Sequence, residues 1–290
     1  MLNKMKKFVL NSYAKINLFL KVGKKINKKK LHNIQSLVFL INLSDKVSIK
    51  KINYPKDSIK FTGKFNNNIK KSDNSIKKSL YLLRKKKIIK KNISYQINVK
   101  KNIPVFSGLG GGSSNAATII RYFLRGKKIL KNNIEYFSEK LGSDLGLFFK
   151  SKKVFQKNLS TIIDFKQSYN FYILLVYPYF KCSTKEIYSK LKTFDKIQAQ
   201  NNYFKGNKYK FINTLKSTTN SLQKVVISKF PKVANILEEM KTIKKCQFSR
   251  MTGSGSACFA LFLNKRDGTL ALRQIKKKFP KFWCVLCKTI

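Results

Sequence analysis

The sequence predicts a protein of mixed strands and helices, large enough for two domains, and three observations carry that expectation. Strand-like alternation runs over residues 12–22, a glycine-rich loop at 104–114 stands between a strand and a helical stripe, and a second glycine loop at 251–256 stands between two strands. With 290 residues, 43% of them hydrophobic, the chain can bury a sizeable core. No apolar run is long enough to cross a bilayer. The opening MLNKMKKFVLNSYAK has neither the apolar length nor the small-residue cleavage site of a secretory signal. A soluble, cytoplasmic protein is expected.

Taking the elements in order, Ala14, Ile16, Leu18, Leu20 and Val22 share one face of SYAKINLFLKV, and Lys15, Asn17, Phe19 and Lys21 share the other. That pattern predicts a half-buried strand with a polar edge to its second face. LVFLINL at 37–43 reads as a buried strand and LSDKVSIKKI as the next one. Ile76, Leu80 and Leu83 fall at helical spacing within 74–87, and ISYQINVK alternates as a strand that runs into the first glycine loop. Past that loop Ala117, Ile120 and Leu124 form one stripe, with Ser113, Ser114 and Asn115 standing where an N-cap belongs. NNIEYFSEKL predicts a further helix closed by Gly142, which hands over to GSDLGLFF.

The second half opens with the apolar strand FYILLVYP and a helix introduced by Ser183-Thr184-Lys185-Glu186, a capping-box pattern. Residues 193–212 are polar and poorly periodic and predict a mobile loop. Two helices split by Pro231 follow, then strands around MTGSGS, the helix TLALRQIKKKF and a last strand FWCVLC.

A balance of 63 Lys+Arg against 12 Asp+Glu gives a formal net charge of +51, which on its own would suggest nucleic acid or an anionic membrane. Arginine, however, occurs only at Arg84, Arg121, Arg125, Arg250, Arg266 and Arg273. The rest is lysine, scattered along the chain among abundant Asn, Ile and Phe, the amino acids of A/T-rich codons. Base readers favour arginine, so drift of composition accounts for the charge and no dedicated nucleic-acid partner is expected. The charge still steers phosphorylated ligands inward and makes their association salt-sensitive. Cys182, Cys246, Cys258, Cys284 and Cys287 are odd in number and imply no disulfide framework. Cys284 and Cys287 form a C-x-x-C without the second ligand pair that zinc needs.

The chemistry concentrates in PVFSGLGGGSS: Pro104, Val105, Phe106, Ser107, Gly108, Leu109, Gly110, Gly111, Gly112, Ser113 and Ser114. Successive glycines let backbone N–H groups converge on an anion beside the positive end of the following helix, and a polyphosphate suits that arrangement. No Lys-Ser/Thr follows, so the loop is not a Walker A motif, and its spacing is not that of the dinucleotide fingerprint. Taken alone, either glycine loop also reads as a structural turn. Asp144 stands just past a helix end, before an apolar run, placed either to cap LGLFF or to act as a base. A facing lysine would hold it ionised, and Lys15, on the strand face with Asn17, is the candidate. His32 is the only histidine, which excludes a Ser-His-Asp triad elsewhere and a multi-histidine metal site.

PVFSGLGGGSSNAA resembles the phosphate-binding motif of the GHMP kinases, and MTGSGSACFALF resembles their C-terminal glycine motif. SYAKINLFLKV, the His32 segment and LGSD extend the resemblance, in order, over nearly the whole chain, toward the branch that phosphorylates a cytidine-diphosphate sugar alcohol. The resemblance implies an α+β fold, with residues 1–157 like the second domain of ribosomal protein S5 and residues 158–290 ferredoxin-like. It implies ATP as phosphoryl donor with Mg²⁺ as counter-ion, Lys15 and Asp144 as the catalytic pair, and Pro104 to Ser114 around the ATP phosphates. Asn74 and Lys101 would lie near the adenosine. Asn17, His32, Thr184 and Tyr188 would form the acceptor pocket, His32 by hydrogen bonds to cytosine and Tyr188 by stacking. A monomer or homodimer acting on small molecules, with no membrane partner, is implied.

Three positions depart from the family pattern. Lys29-Lys30-Leu31-His32 stands for Asp-Gly-Tyr-His, Gly146 for a proline, and KNLS at 157–160 for Gly-x-Gly-Glu. The rival readings are a related kinase acting on homoserine or a mevalonate, and a basic nucleic-acid-binding protein with a vestigial site.

Overall fold

The computed structural model describes residues 6–26, 31–67, 69–70, 72–126, 130–159, 161–197 and 206–290. Lys29, Lys30, Ser160 and positions 198–205 of the expected mobile loop lie outside the described residues. Two long paired strands, β1 (Lys7–Ile26) and β2 (Leu31–Ile52), organise the chain. β2 is one strand where the sequence suggested two, because SDK at its middle continues the extended backbone. The chain packs as two compact units that interleave in sequence, since β1 and β2 each contribute one part to either unit. Unit 1 takes the residues up to Ala14, Leu43–Val105 and Gly110–Phe149, and unit 2 takes Lys15–Asn42, Phe106–Leu109 and Lys150–Ile290.

In unit 1 the second part of β2 pairs antiparallel with β4 (Ser94–Lys100), and β4 pairs parallel with β3 (Ser58–Thr62). The two-residue period sets Val47 and Ile49 opposite Val99 and Ile97, all fully buried. Three helices, α1 (Ser75–Lys85), α2 (Gly111–Phe123) and α3 (Lys131–Leu141), bury Ile76 and Leu83, Ile119 and Ile120, and Phe137 in turn. α2 starts earlier than its serines suggested. Its N-cap is Gly110 in the left-handed region, which leaves Ser113, Ser114 and Asn115 inside the first turns with their side chains available for other bonds. After α3, Gly142 turns the chain at φ 122° into a 3-10 helix over Ser143–Phe149.

In unit 2 the first part of β2 pairs with β5 (Lys153–Gln156), which pairs with β6 (Ile162–Asp164). A second sheet is built from β7 (Tyr172–Tyr177), β8 (Ser249–Met251), β9 (Cys258–Phe262) and β10 (Trp283–Lys288), in the order β10-β7-β9-β8. All its pairs are antiparallel, and with helices between β7 and β8 and between β9 and β10 this is the ferredoxin-like arrangement. The helices are α4 (Thr184–Ser189), α5 (Lys208–Lys216), α6 (Gln223–Lys229), α7 (Lys232–Thr242) and α8 (Lys265–Lys278). Leu174, Val176, Ile236, Met240, Ala260, Phe262, Ala271 and Ile275 form their common core.

α5 begins within the stretch expected to be a mobile loop and runs past its end; Asn207 caps it and Phe211, Ile212 and Leu215 bury one face, a stripe too short to stand out in the sequence. The Ser183 to Glu186 capping box is not formed either. Ser183 makes no side-chain cap bond, and Glu186 is drawn to Lys229 and Lys190 instead. Burial raises the pKa of Cys182, Cys246 and Cys284 to about 11 and that of Cys287 to about 12, so these thiols stay protonated at neutral pH. No helix among the described residues is long and apolar enough to cross a membrane.

Candidate active site

β1 brings the first two candidates into unit 2. Residues 14–20 are buried on both faces of the strand, so the half-buried strand expected from alternation is a fully covered one, and Lys15 is only 2% exposed. A lysine so placed needs acceptors. Its Nζ donates to Asn17 Oδ1 at 2.5 Å, and Asn17 Nδ2 donates to Ser36 Oγ at 2.8 Å. The backbone of the same strand reads both glycine loops: Lys15 N–H donates to the Leu109 carbonyl at 3.0 Å and Asn17 N–H to Thr252 Oγ1 at 2.9 Å.

The two loops touch backbone to backbone inside unit 2. A Cβ on Gly108, where φ is +79°, would stand 2.1 Å from the Thr252 carbonyl oxygen. One on Gly253 would stand 2.7 Å from the Gly108 carbonyl oxygen and 3.1 Å from Lys15 Nζ. Glycine is required at both positions because any side chain would occupy space held by main chain. Asn220 fastens the second loop by donating to the Met251 and Gly253 carbonyls at 2.8 and 2.9 Å. Arg250, buried, gives its guanidinium to the carbonyls of Leu18, Leu215 and Thr218, tying β1 to the segment beside that loop. Burial lowers the Arg250 pKa to about 10, still charged at neutral pH.

The first loop alternates conformation: Phe106, Gly108 and Gly110 have positive φ at 56°, 79° and 70°, and Ser107 and Leu109 between them do not. Such alternation aims successive N–H groups to one side and makes an anion-binding concavity. In unit 1, Gly111 is packed, since a Cβ there would meet Ile103 at 3.0 Å and Lys101 Nζ at 3.4 Å. Gly112 is open: a Cβ there would find only Ser75 Oγ, 4.0 Å away. At Gly112, therefore, no neighbouring atom occupies the place that a Cβ would take.

Lys101 is 1% exposed and is ion-paired with Asp45, which is fully buried. Its Nζ also reaches Asn115 Oδ1 at 3.1 Å, and Asn115 Nδ2 donates to Asp45 at 2.9 Å and to Ser12 Oγ at 2.8 Å. Ser12 Oγ donates in turn to Ser114 Oγ at 2.8 Å. Asp45 further accepts from the N–H groups of Asn102 and Ile103. Burial pulls the Lys101 pKa down, and the Asp45 carboxylate opposes that shift. This network ties the first turns of α2 to β1, β2 and the residue that follows β4. Asn74 is the N-cap of α1, its Oδ1 accepting from Lys77 N–H at 3.0 Å. Asp144 is half-buried in the first turn of the 3-10 helix. Lys15 and Asp144 fall in different units of the chain.

The acceptor candidates gather in unit 2. His32, 8% exposed, has Nδ1 at 3.1 Å from the Gly23 carbonyl oxygen. A carbonyl only accepts, so Nδ1 carries the proton and, in the neutral ring, Nε2 is an acceptor. The Tyr188 ring lies 5.7 Å from the imidazole and tilted by 41°, and Thr184 Oγ1 is 3.1 Å from Ser254 Oγ in the second glycine loop. Sequence reasoning missed Thr252, Asn220, Arg250 and the Asp45 to Asn115 network, whose partners are up to 235 positions apart in the chain, and Phe194, which sat in the stretch taken for a loop. Among the described residues no group of three His, Cys, Asp or Glu side chains could hold a metal ion.

With this geometry in place, the relatives of the chain can be compared. The N-terminal domain of GHMP kinases matches residues 74–146, and the GHMP kinase C-terminal domain matches residues 207–281. A 4-diphosphocytidyl-2-C-methyl-D-erythritol kinase of Pelagibacter ubique is 40% identical over 290 residues, 99% of this chain and 100% of that protein. One from Ehrlichia canis is 32% identical over 94% of this chain and 95% of its own length. Among solved structures, a 4-(cytidine 5'-diphospho)-2C-methyl-D-erythritol kinase superposes with a TM-score of 0.72 at 18% identity, covering 97% of this chain and 99% of that one. A mevalonate kinase of L. major superposes with a TM-score of 0.71 at 13% identity, over 99% of this chain and 97% of that one. Values that close show a shared fold and do not choose between acceptors.

Proposed function

The chain belongs to the GHMP kinase family, and from that premise we propose that it transfers the γ-phosphoryl group of ATP to the 2-hydroxyl of 4-diphosphocytidyl-2-C-methyl-D-erythritol, a step of non-mevalonate isoprenoid synthesis. The observation that carries the acceptor is the 40% identity to a relative of that name along 99% of the chain. In the reaction the bond from γ-phosphorus to the bridging oxygen breaks, a bond to the acceptor oxygen forms, ADP leaves and Asp144 takes the hydroxyl proton. Lys15 is the second member of the catalytic pair and offsets negative charge on the transferring group. Pro104 to Ser114 present N–H groups to the ATP phosphates, and Asn74 and Lys101 belong to the adenosine side. Catalysis of this kind is positioning plus electrostatic stabilisation.

Mg²⁺ would supply charge neutralisation at the ATP phosphates, beside the Pro104 to Ser114 loop. Asn17, His32, Thr184 and Tyr188 line the acceptor pocket. The His32 tautomer supports a cytosine ligand: an Nε2 acceptor pairs with the exocyclic amine of cytosine, and a uracil carbonyl in the same place would face it acceptor to acceptor. A cytoplasmic monomer or homodimer, with sequence domains 1–157 and 158–290 and no nucleic-acid partner, completes the proposal.

The test is conversion of ATP to ADP by the purified full chain with the cytidine-diphosphate acceptor, homoserine and mevalonate in parallel. Turnover with the first and not with the others is expected. Preference for homoserine or mevalonate would overturn the acceptor, and no turnover with any of them would overturn the kinase activity.

A further inference from the structure

We infer that Phe194 is a specificity-determining wall of the acceptor pocket, on whose face the pyrimidine ring of the acceptor stacks; the inference rests on the cytidyl reading of that pocket. The Phe194 ring lies 5.3 Å from the His32 imidazole with only 23° between their planes. At that centroid distance two nearly parallel rings are offset, so the phenyl plane extends past the edge of the imidazole. A pyrimidine bonded edge to edge with His32 lies in the imidazole plane and meets a parallel ring face to face. Phe194 has surface to give to such a ligand, being 41% exposed although its neighbour Leu191 is buried.

The position of Phe194 is built. Asp195, next in the chain, donates its N–H to the Val22 carbonyl at 2.8 Å. Its carboxylate accepts from Val22 N–H at 2.9 Å and from the Ser221 hydroxyl. Gly23, whose carbonyl fixes the His32 tautomer, has no Cβ because one would lie 2.8 Å from an Ile197 side-chain carbon. The strand residues that orient His32 are thus the ones that seat Phe194. Meanwhile position 31, beside His32, holds an exposed leucine that offers no aromatic face. Among the described residues, Tyr188 and Phe194 each set an aromatic ring against the histidine.

The experiment compares wild type with Phe194→Ala, Phe194→Leu and Phe194→Tyr, reading acceptor KM, ATP KM, melting temperature and calorimetric binding of CDP. Losing a stacked base partner typically costs about tenfold or more in affinity. Ala and Leu are therefore expected to raise the acceptor KM and weaken CDP binding by about that factor, while Tyr keeps both and the ATP KM is unmoved in all three. A leucine variant equal to wild type would reduce Phe194 to apolar bulk, and an unaffected alanine variant would remove it from the pocket; either overturns the inference with the function intact. Absence of CDP binding by the wild type would overturn the cytidyl pocket itself.

Discussion

The two glycine loops have nearly the same composition and opposite surroundings. Every residue of Met251 to Ser256 is buried, held by Asn220 and facing main chain, whereas the 104–114 loop leaves Phe106 and Gly112 exposed. In the second loop Gly253 is glycine because the protein itself is in the way. In the first, Gly112 has open space, and Phe106 holds a left-handed backbone that costs a bulky L-residue roughly 1–2 kcal/mol. Under the proposed function, glycine serves the second loop as a packing device and the first as open space for the nucleotide. Gly108 belongs to both descriptions, since it lies in the first loop and packs on the second.

Asp144→Asn should lower kcat by about 10²–10⁴, the usual worth of a general base, while the melting temperature and ATP affinity stay near wild type. Wild-type turnover in that variant would remove Asp144 from the mechanism. Gly108→Ala attacks the shared point, forcing a Cβ to 2.1 Å from a carbonyl oxygen at a positive φ, and about 2–5 kcal/mol of stability should be lost from overpacking and strain together. Thermal or urea melts measure it, and a loss under 1 kcal/mol would mean that the loops part easily. A smaller effect is expected at Phe106→Gly. Relief of left-handed strain, about 1–2 kcal/mol, is offset by the roughly 0.5–1 kcal/mol entropic cost of glycine, leaving a net gain of at most about 1.5 kcal/mol in the same melts. A net loss would show that the Phe106 side chain, 49% exposed, is held by contacts that outweigh its backbone strain.

Much of this was legible in the sequence where physics is local. Alternation located β1, helical spacing located α1 and α8, and the glycines of 104–114 declared a strand-to-helix turn. What alternation could not reveal is that both faces of β1 are covered, because Lys15 and Asn17 read as a solvent edge until Ser36, Thr252 and Gly253 close over them from far along the chain. The same holds for Lys101, one of many lysines by composition, which only the long-range pairing with Asp45 distinguishes. Serines at 113 and 114 suggested a cap, yet a left-handed Gly110 ends the loop sooner and releases Ser114 to the buried network. Phe194 was hidden for a different reason: its polar neighbours made 193–212 look like a loop, and the Asp195 anchor depends on Val22 and Ser221.

The contrast between the loops is tested most directly at Gly112, where the open space distinguishes it from Gly111, whose Cβ would press on Ile103 and so confound binding with packing. Calorimetric titration of a non-hydrolysable ATP analogue into wild type and Gly112→Ala, alongside melts of both, is the decisive measurement. A methyl group at this open position in the first turn of α2 should weaken nucleotide binding by roughly tenfold or more with the melting temperature unchanged. Unaltered affinity in a folded Gly112→Ala protein would contradict the account and make the first loop, like the second, a packing turn.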